Sequence, residues 1–168
     1  MSILKIYQYP EPVLRKETET VTSFDDTLSQ LAADMGETMY DAPGIGLAAP
    51  QIGRSLKLIV LDTTKESDGE KEFMAMVNPK IIDHEGKQID EEGCLSVPEL
   101  TANVNRYKKI TVSFQDLEGK QQEVTTEDRF AVVLQHEIDH LNGILFLDHL
   151  STLKRGLYKK KVKKWLKQ

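Results

Sequence analysis

The sequence predicts an α+β fold, in which antiparallel strands pack around a central helix and a further helix lies at the C-terminus. Helical patterns and β-rich runs are segregated along the chain instead of alternating, which is typical of this class. The chain has 168 residues, of which 39% are hydrophobic, and no repeat or low-complexity linker interrupts it. We therefore expect a single domain over residues 1–168.

The first helix is predicted to begin at Ser23 and Asp26, which resemble a capping box. Its apolar positions then recur at helical spacing, as Leu28, Leu31, Met35 and Met39. Residues 41–44 read Asp-Ala-Pro-Gly. Because proline and glycine break helices, we expect the helix to end there.

The middle of the chain contains runs rich in β-forming residues, at 56–62, 73–82 and 107–116. A turn signal at residues 116–120 follows the third run. That run should therefore pair with residues 121–125 as a hairpin.

Two helices are predicted in the last third of the chain. The first is the central helix, which should begin at Thr126, carry Glu127 and Asp128 in its first turn, and end at the Asn-Gly pair of residues 142–143. The second is amphipathic, with an apolar stripe of Leu153, Leu157, Val162, Trp165 and Leu166.

Charge is distributed unevenly along the chain. The net charge is −5, yet residues 151–168 hold eight basic side chains and no acidic one, so residues 1–150 carry −13. A basic tail on an acidic body predicts an anionic partner for the tail. The alternative is a solvated helix face without a partner.

Composition also limits where the protein acts. No apolar run approaches the ~20 residues that cross a bilayer. The N-terminus lacks the pattern of a secretory or transit signal, so a cytoplasmic location is expected. The single cysteine, Cys94, excludes an intrachain disulfide.

The central helix carries a His-Glu-x-x-His segment. Side chains four positions apart on a helix have Cβ atoms about 5–6 Å apart, so His136 and His140 can bind one metal ion together. Glu137 lies one position on, close enough to exchange a proton with a water activated by the ion. The segment predicts a metal-dependent hydrolase with Glu137 as its acid/base.

A catalytic site of this kind needs a third protein ligand. Two candidates, Asp148 and His149, lie just after the helix. A further candidate is Cys94, which lies in a polar stretch beside glycine, although a lone cysteine is more often a small buried hydrophobe. The residues alone leave the choice open between Cys94 and a downstream ligand.

Three segments of the chain, taken together, resemble the signature motifs of peptide deformylases. They are residues 44–51 (Gly-Ile-Gly-Leu-Ala-Ala-Pro-Gln), 92–96 (Glu-Gly-Cys-Leu-Ser) and 135–140 (Gln-His-Glu-Ile-Asp-His), in the family's order and at similar separations. The resemblance covers most of the chain, and the C-terminal helix is similar to that of the Gram-negative and organellar subgroup.

The resemblance implies an enzyme that removes the formyl group from the N-formylmethionine of new polypeptides and releases formate. By motif position, Cys94, His136 and His140 would bind the metal ion. The family usually uses Fe²⁺, and Ni²⁺, Co²⁺ or Zn²⁺ can replace it at a site of one thiolate and two imidazoles.

The same resemblance assigns the remaining roles. Glu137 would transfer protons, while the Gln51 side-chain amide and the Leu95 backbone N–H would stabilise the oxyanion. The peptide would bind as an added β-strand along the backbone at Ile45, Gly46 and Gly93. Gly44 and Gly46 lack side chains and would let it approach closely. The methionine pocket would consist of Ile45, Val132, Val133 and the aliphatic part of Glu92.

Two places depart from the family pattern. Leu100 and Thr101 stand where Gram-negative members often carry an arginine that meets the substrate backbone, and Pro50 stands where threonine is also common. None of these residues belongs to the expected metal site.

Two rival functions are compatible with parts of the sequence. One is an endopeptidase of the general His-Glu-x-x-His class, and the other is a metal-dependent factor that binds ribosomes without catalysis. As a deformylase, the protein would use its basic helix to contact ribosomal RNA, with no membrane or DNA partner.

We expect His84 to lie in an exposed turn and His149 to have a structural position, both outside catalysis.

Overall fold

The computed structural model describes residues 2–64 and 71–168. The strands are β1 (Gly46–Ala48), β2 (Leu58–Asp62), β3 (Phe73–Glu85), β4 (Gln88–Cys94), β5 (Val97–Arg106), β6 (Lys109–Gln115) and β7 (Gln121–Glu127). The helices are α1 (Asp26–Asp41), α2 (Asp128–Leu141) and α3 (Thr152–Leu166), with 3₁₀ turns at Pro12–Arg15, Ala49–Ile52 and Phe146–His149. Helices combined with antiparallel strands confirm the predicted fold class.

Within the described residues, the strands form two antiparallel sheets. Five of them pair in the order β1-β2-β3-β6-β7, and β4 pairs with β5 in a separate hairpin. The apolar face of α2 packs on the large sheet, where Ala131, Leu134 and Ile138 join strand residues such as Ile59 and Val112 in one buried cluster. Helix α2 also contacts β4, so it lies between the large sheet and the hairpin.

Strand β7 leads directly into α2 without a loop. The predicted start at Thr126 was wrong by two residues, because Thr126 and Glu127 still pair with β6. The reversal occurs at Asp128, whose φ of 58° lies in the left-handed region. The predicted end is confirmed, since Asn142 caps α2 and Gly143 follows with φ 73°.

Helix α1 ends where the sequence predicts, but a different residue from the expected one caps its N-terminus. The Asp25 carboxylate accepts a hydrogen bond of 3.1 Å from the Leu28 backbone N–H, so the capping box at Ser23 and Asp26 was wrong. The predicted apolar stripe is confirmed: Leu28, Met35 and Met39 are buried, and Leu31 packs against their cluster.

The apolar stripe predicted for α3 was largely wrong. Tyr158 and Val162 are buried and Trp165 packs beside them, at the spacing of one narrow helical face. The leucines lie elsewhere: Leu153 is 72% exposed, Leu157 59% and Leu166 67%. Because α3 touches the rest of the molecule along a single line of side chains, most of its circumference faces solvent.

The three predicted β-rich runs correspond to β2, β3 and β6, and the hairpin of β6 with β7 is confirmed. Strands β1, β4 and β5 were not predicted. His84 is exposed as expected, but it lies in β3 and stacks on the Tyr107 ring at 3.9 Å between centroids, so its assignment to a turn was wrong. In the described part of the chain, no helix is both long and apolar enough to cross a membrane.

Candidate metal centre

Three potential metal ligands converge between α2 and the β4–β5 hairpin. His136 and His140 lie one turn apart on the buried face of α2, with ring centroids 5.0 Å apart. Cys94 ends β4, and its Sγ lies 3.4 Å from Nε2 of His140. One ligand atom from each residue lies within 4.8 Å of the others. A thiolate and two imidazoles at this separation fit a single divalent transition-metal ion.

Carboxylate and guanidinium groups hold the His136 ring through its Nδ1 atom. Nδ1 of His136 lies 2.9 Å from Oε1 of Glu92, which leaves Nε2 for the ion. Arg106 donates to both oxygens of Glu92, at 2.7 and 2.8 Å. The same guanidinium donates to Asp139 at 2.6 Å, and Asp139 also lies 3.0 Å from Nε2 of His149. The ligand ring is therefore held by a continuous chain of charged groups.

This surrounding shifts the pKa values of the buried groups. Burial raises the pKa of Glu92, but hydrogen bonds from Arg106 and His136 outweigh it and lower the pKa to about 2. Burial, together with the nearby positive charges of His136, Arg106 and Arg15, holds the pKa of His140 well below its usual value, so its ring is neutral. For His136 burial acts in the same direction, yet contacts with Cys94 and Glu92 raise its pKa well above normal. The anionic surroundings of His136 thus favour a cation.

Glu137 is buried beside the three ligands. Its Oε1 has no hydrogen-bond partner within the described structure, and burial raises its pKa to about 7. A Cβ at Gly46 would meet Oε2 of Glu137 at 2.5 Å, so only glycine lets the carboxylate lie against β1. An unpaired carboxylate that titrates near neutrality suits proton transfer.

The Gln51 amide is held with its N–H groups towards the site. Its Oε1 accepts from the Ala48 backbone N–H at 2.9 Å, which fixes the amide orientation. Its Nε2 then lies 3.5 Å from Cys94 Sγ and 3.1 Å from Ser96 Oγ. The Gln51 amide therefore offers a hydrogen-bond donor beside the ligand cluster, and its orientation is fixed before any substrate binds.

A cleft of about 490 Å³ opens at the ligand cluster. Every predicted site residue lines it except His140, which contacts Cys94. The residues that line it are Gly44, Ile45, Gly46, Gln51, Glu92, Gly93, Cys94, Leu95, Val132, Val133, His136 and Glu137. The two downstream ligand candidates have other partners. Asp148 pairs with Arg15, and His149 contacts Asp139.

The family model for polypeptide deformylase matches residues 3–156. The chain belongs to this family. A peptide deformylase of Desulfotalea psychrophila is 68% identical over 165 residues and covers 98% of both chains. One from Rhizobium meliloti is 51% identical and covers 94% of this chain and 90% of its own.

Solved deformylase structures have the same fold. A peptide deformylase from Legionella pneumophila is 47% identical and superposes with a TM-score of 0.89, covering 98% of this chain and 96% of its own. The Ehrlichia chaffeensis deformylase in complex with actinonin is 38% identical, with a TM-score of 0.91 and 98% of both chains covered. The family consists of metal-dependent hydrolases, and the endopeptidase interpretation has no support.

Some residues of the site were not predicted from the sequence. Arg106 and Asp139 complete the charged chain behind His136, while Val97, Glu99 and Arg129 line the cleft. Asp139 carried a usable signal, since it precedes His140 on α2. Arg106 lies twelve residues after Cys94 on a strand that was not predicted, so no local pattern pointed to it.

Proposed function

We propose that this deformylase hydrolyses the formyl amide of N-formylmethionyl peptides at the centre formed by Cys94, His136 and His140, releasing formate. The observation that carries the proposal is the convergence of three ligand atoms within 4.8 Å beside the buried, unpaired carboxylate of Glu137. Attack of water on the formyl carbon breaks the C–N bond and leaves a free amine and formate.

Cys94, His136 and His140 would hold one divalent ion, for which Fe²⁺ is our proposal, with Ni²⁺, Co²⁺ or Zn²⁺ as substitutes. When bound, the ion would lower the pKa of water and act as a Lewis acid. The neutral His140 ring and the Glu92 contact that leaves Nε2 of His136 available support this assignment.

Glu137 would first accept a proton from the attacking water and then donate it to the leaving amine. Its pKa of about 7 suits both directions of transfer near neutral pH. The Gln51 amide and the Leu95 backbone N–H would donate hydrogen bonds to the oxyanion that forms at the formyl carbon. Both residues line the cleft.

The peptide would bind along the cleft walls. Backbone at Gly44, Ile45, Gly46 and Gly93 would pair with its extended backbone, and the methionine side chain would enter a pocket of Ile45, Val132, Val133 and the stem of Glu92. Neither Leu100 nor Thr101 offers the cleft a cation, but Arg129 reaches it from the first turn of α2.

We further propose that residues 1–168 act as one catalytic domain in the cytoplasm and that α3 contacts ribosomal RNA. Support for the RNA contact comes from the lysines exposed on α3, since Lys159, Lys160, Lys163 and Lys164 face solvent. Phosphate groups would bind such a surface without regard to sequence.

A comparison of two activities tests the proposed reaction. The metal-loaded enzyme should release formate from formyl-Met-Ala-Ser and should not cleave the same peptide without its formyl group. Hydrolysis of internal peptide bonds would instead favour an endopeptidase. Absence of both reactions, with metal bound, would favour a binding protein.

A further inference from the structure

A second groove adjoins the cleft beside the β4–β5 hairpin. It has a volume of about 470 Å³ and lies between β5 and α3. Glu99, Leu100 and Thr101 line both the groove and the cleft, so the two are continuous across these residues.

The groove follows strand β5, which has an unpaired edge. Five consecutive residues of β5, from Glu99 to Asn103, line it, and Glu91 of β4 lines it as well, so the groove runs along β5 and reaches its paired neighbour. Strand β5 pairs with β4 on one side, and among the described residues no strand pairs with its other side. Every second residue along this edge therefore has a backbone N–H and C=O without a strand partner.

Helix α3 supplies the opposite wall. Leu157 and Tyr158, with Leu150 just before the helix, give this wall an apolar surface, and Lys154 and Lys161 lie beside them. The wall is firmly attached, because Tyr158 is buried and donates a hydrogen bond of 2.8 Å to the Pro98 carbonyl at the start of β5. Leu157 is 59% exposed although it lines the groove, so its apolar surface is available to a ligand.

An irregularity in the hairpin connects the groove to the cleft. Gly93 pairs with Thr101 and Cys94 pairs with Val97, so Pro98, Glu99 and Leu100 have no partner on β4. Glu99 has a left-handed backbone with φ 59°. This bulge turns the chain at the boundary between cleft and groove. Paired residues on neighbouring strands lie about 5 Å apart, so two or three extended residues span from Gly93 to the groove.

We propose that the groove binds the downstream part of the substrate polypeptide as an additional strand on the edge of β5. This rests on the proposed function, because the cleft must first hold the formylmethionine. A free strand edge facing a helix binds extended chains through their backbone and so accepts varied sequences. The enzyme thus has a second binding segment for long chains.

Peptide length is the first variable to test. The metal-loaded enzyme is assayed for formate release with formyl-Met-Ala-Ser and with a peptide of about nine residues that begins with the same three, long enough to reach across the groove. The longer peptide should have kcat/KM about tenfold higher, through a lower KM. N-methylation of alternate downstream amides should remove this gain. An equal kcat/KM for both peptides would overturn the proposal.

Two matched variants assign the gain to the groove. Leu157→Glu places a charge on the apolar wall and should bring the ratio of kcat/KM for the long and short peptides close to one. Leu153→Glu makes the same change one turn earlier, at a side chain that is 72% exposed and does not line the groove, and should keep the wild-type ratio. Equal effects of both variants would contradict binding in the groove.

Hydrogen exchange identifies the occupant. The unformylated long peptide, added in excess, should protect backbone amides of β5 between Glu99 and Asn103. Protection that appears without peptide and rises with enzyme concentration would mean that a second copy covers the edge, which would overturn the proposal. If formyl-Met-Ala-Ser released no formate, the proposed function itself would be wrong. That result differs from an equal kcat/KM for both peptides, which would contradict only the role of the groove.

Discussion

At the scale of single residues, the chemistry depends on side chains that the fold leaves without partners. The Oε1 atom of Glu137 is buried without a hydrogen bond within the described structure, and Gly46 leaves room for the other oxygen. An unpaired buried carboxylate destabilises the protein, so its presence in a cleft points to function.

Glu137→Gln should separate metal binding from catalysis. Glutamine has nearly the same shape but cannot accept and return a proton, so kcat should fall about 10²- to 10⁴-fold while metal content stays near one ion per chain. Formate release and metal analysis on the same sample measure both. Glu127→Gln, at the exposed end of β7, is the control and should leave kcat unchanged. A small effect of Glu137→Gln would remove this residue as acid/base.

Cys94→Ala should abolish metal binding and activity together. Loss of a direct ligand should cost more than the roughly 10- to 100-fold in affinity lost with an outer partner. Ser96→Ala is a matched control, because Ser96 is buried two residues away and, like Cys94, lies next to the Gln51 amide. It should retain the ion. Metal content per folded chain, measured after dialysis, decides the assignment, and an alanine variant that kept its ion would refute it.

The prediction of individual site residues rests on local motifs. The spacing of His136 and His140 on one helix suffices to predict a shared ion. The choice of Cys94 over Asp148 needed either the family resemblance or the fold, because 42 residues separate Cys94 from His136. Arg106 could not be predicted, since its role depends on the register of β5 against β4.

At the scale of elements, the least predictable part of the chain is the hairpin that delivers Cys94. Strand β4 reads Gln-Ile-Asp-Glu-Glu-Gly-Cys, which has few β-forming residues, and few residues of either strand are fully buried. Their pairing is fixed by long-range contacts with α2 and with the turn at Phe146–His149. Helix ends at Pro43 and Gly143 were predictable because proline and glycine act locally.

An ion pair joins the N-terminal turn to the turn after α2. Arg15 donates two hydrogen bonds to Asp148 and one to the Gly143 carbonyl. Asp148 is partly buried, which raises its pKa, but the bonds from Arg15 outweigh this and lower the pKa below 3.8. Because the folded pKa is lowered, the pair stabilises the fold above that range and the stabilisation is lost as pH falls through the folded pKa.

Asp148→Asn should therefore lower the free energy of unfolding by about 1 kcal/mol at neutral pH, since both partners are partly exposed. Urea unfolding measures the difference, which should shrink as the pH drops below 3.8. Asp41→Asn, at the exposed end of α1, should change stability by no more than a few tenths of a kcal/mol. A difference that persisted unchanged in acid would exclude the ion pair as its cause.

At the scale of the whole molecule, charge is divided between an acidic body and a basic α3. Helix α3 cannot simply be removed to test its role, because Tyr158 and Val162 belong to a buried cluster with Leu14 and Phe146. The charge of α3 can be changed without disturbing that cluster, because the lysines between Tyr158 and Val162, and those after Val162, face solvent.

A fourfold variant, with glutamine at Lys159, Lys160, Lys163 and Lys164, should weaken binding to ribosomes and reduce its salt dependence. The control replaces four exposed lysines of the body: Lys80, Lys87, Lys108 and Lys109. Both variants lose four positive charges. A difference in their ribosome binding would therefore reflect the position of the charges on α3 and not the net charge. Sedimentation with ribosomes at several salt concentrations gives the slopes. Equal slopes for both variants would exclude α3 as the contact.

The direct passage from β7 into α2 ties the rotation of the helix to the register of a strand. Glu127 pairs with Lys109 on β6, and Asp128 is the first residue of α2. One residue inserted between them would turn the helix by about 100°, and His136 and His140 would then leave Cys94. An inserted alanine there should abolish metal binding, whereas the turn at residues 116–120 should accept one. The chain can thus vary in length at its turns, but hardly at this junction.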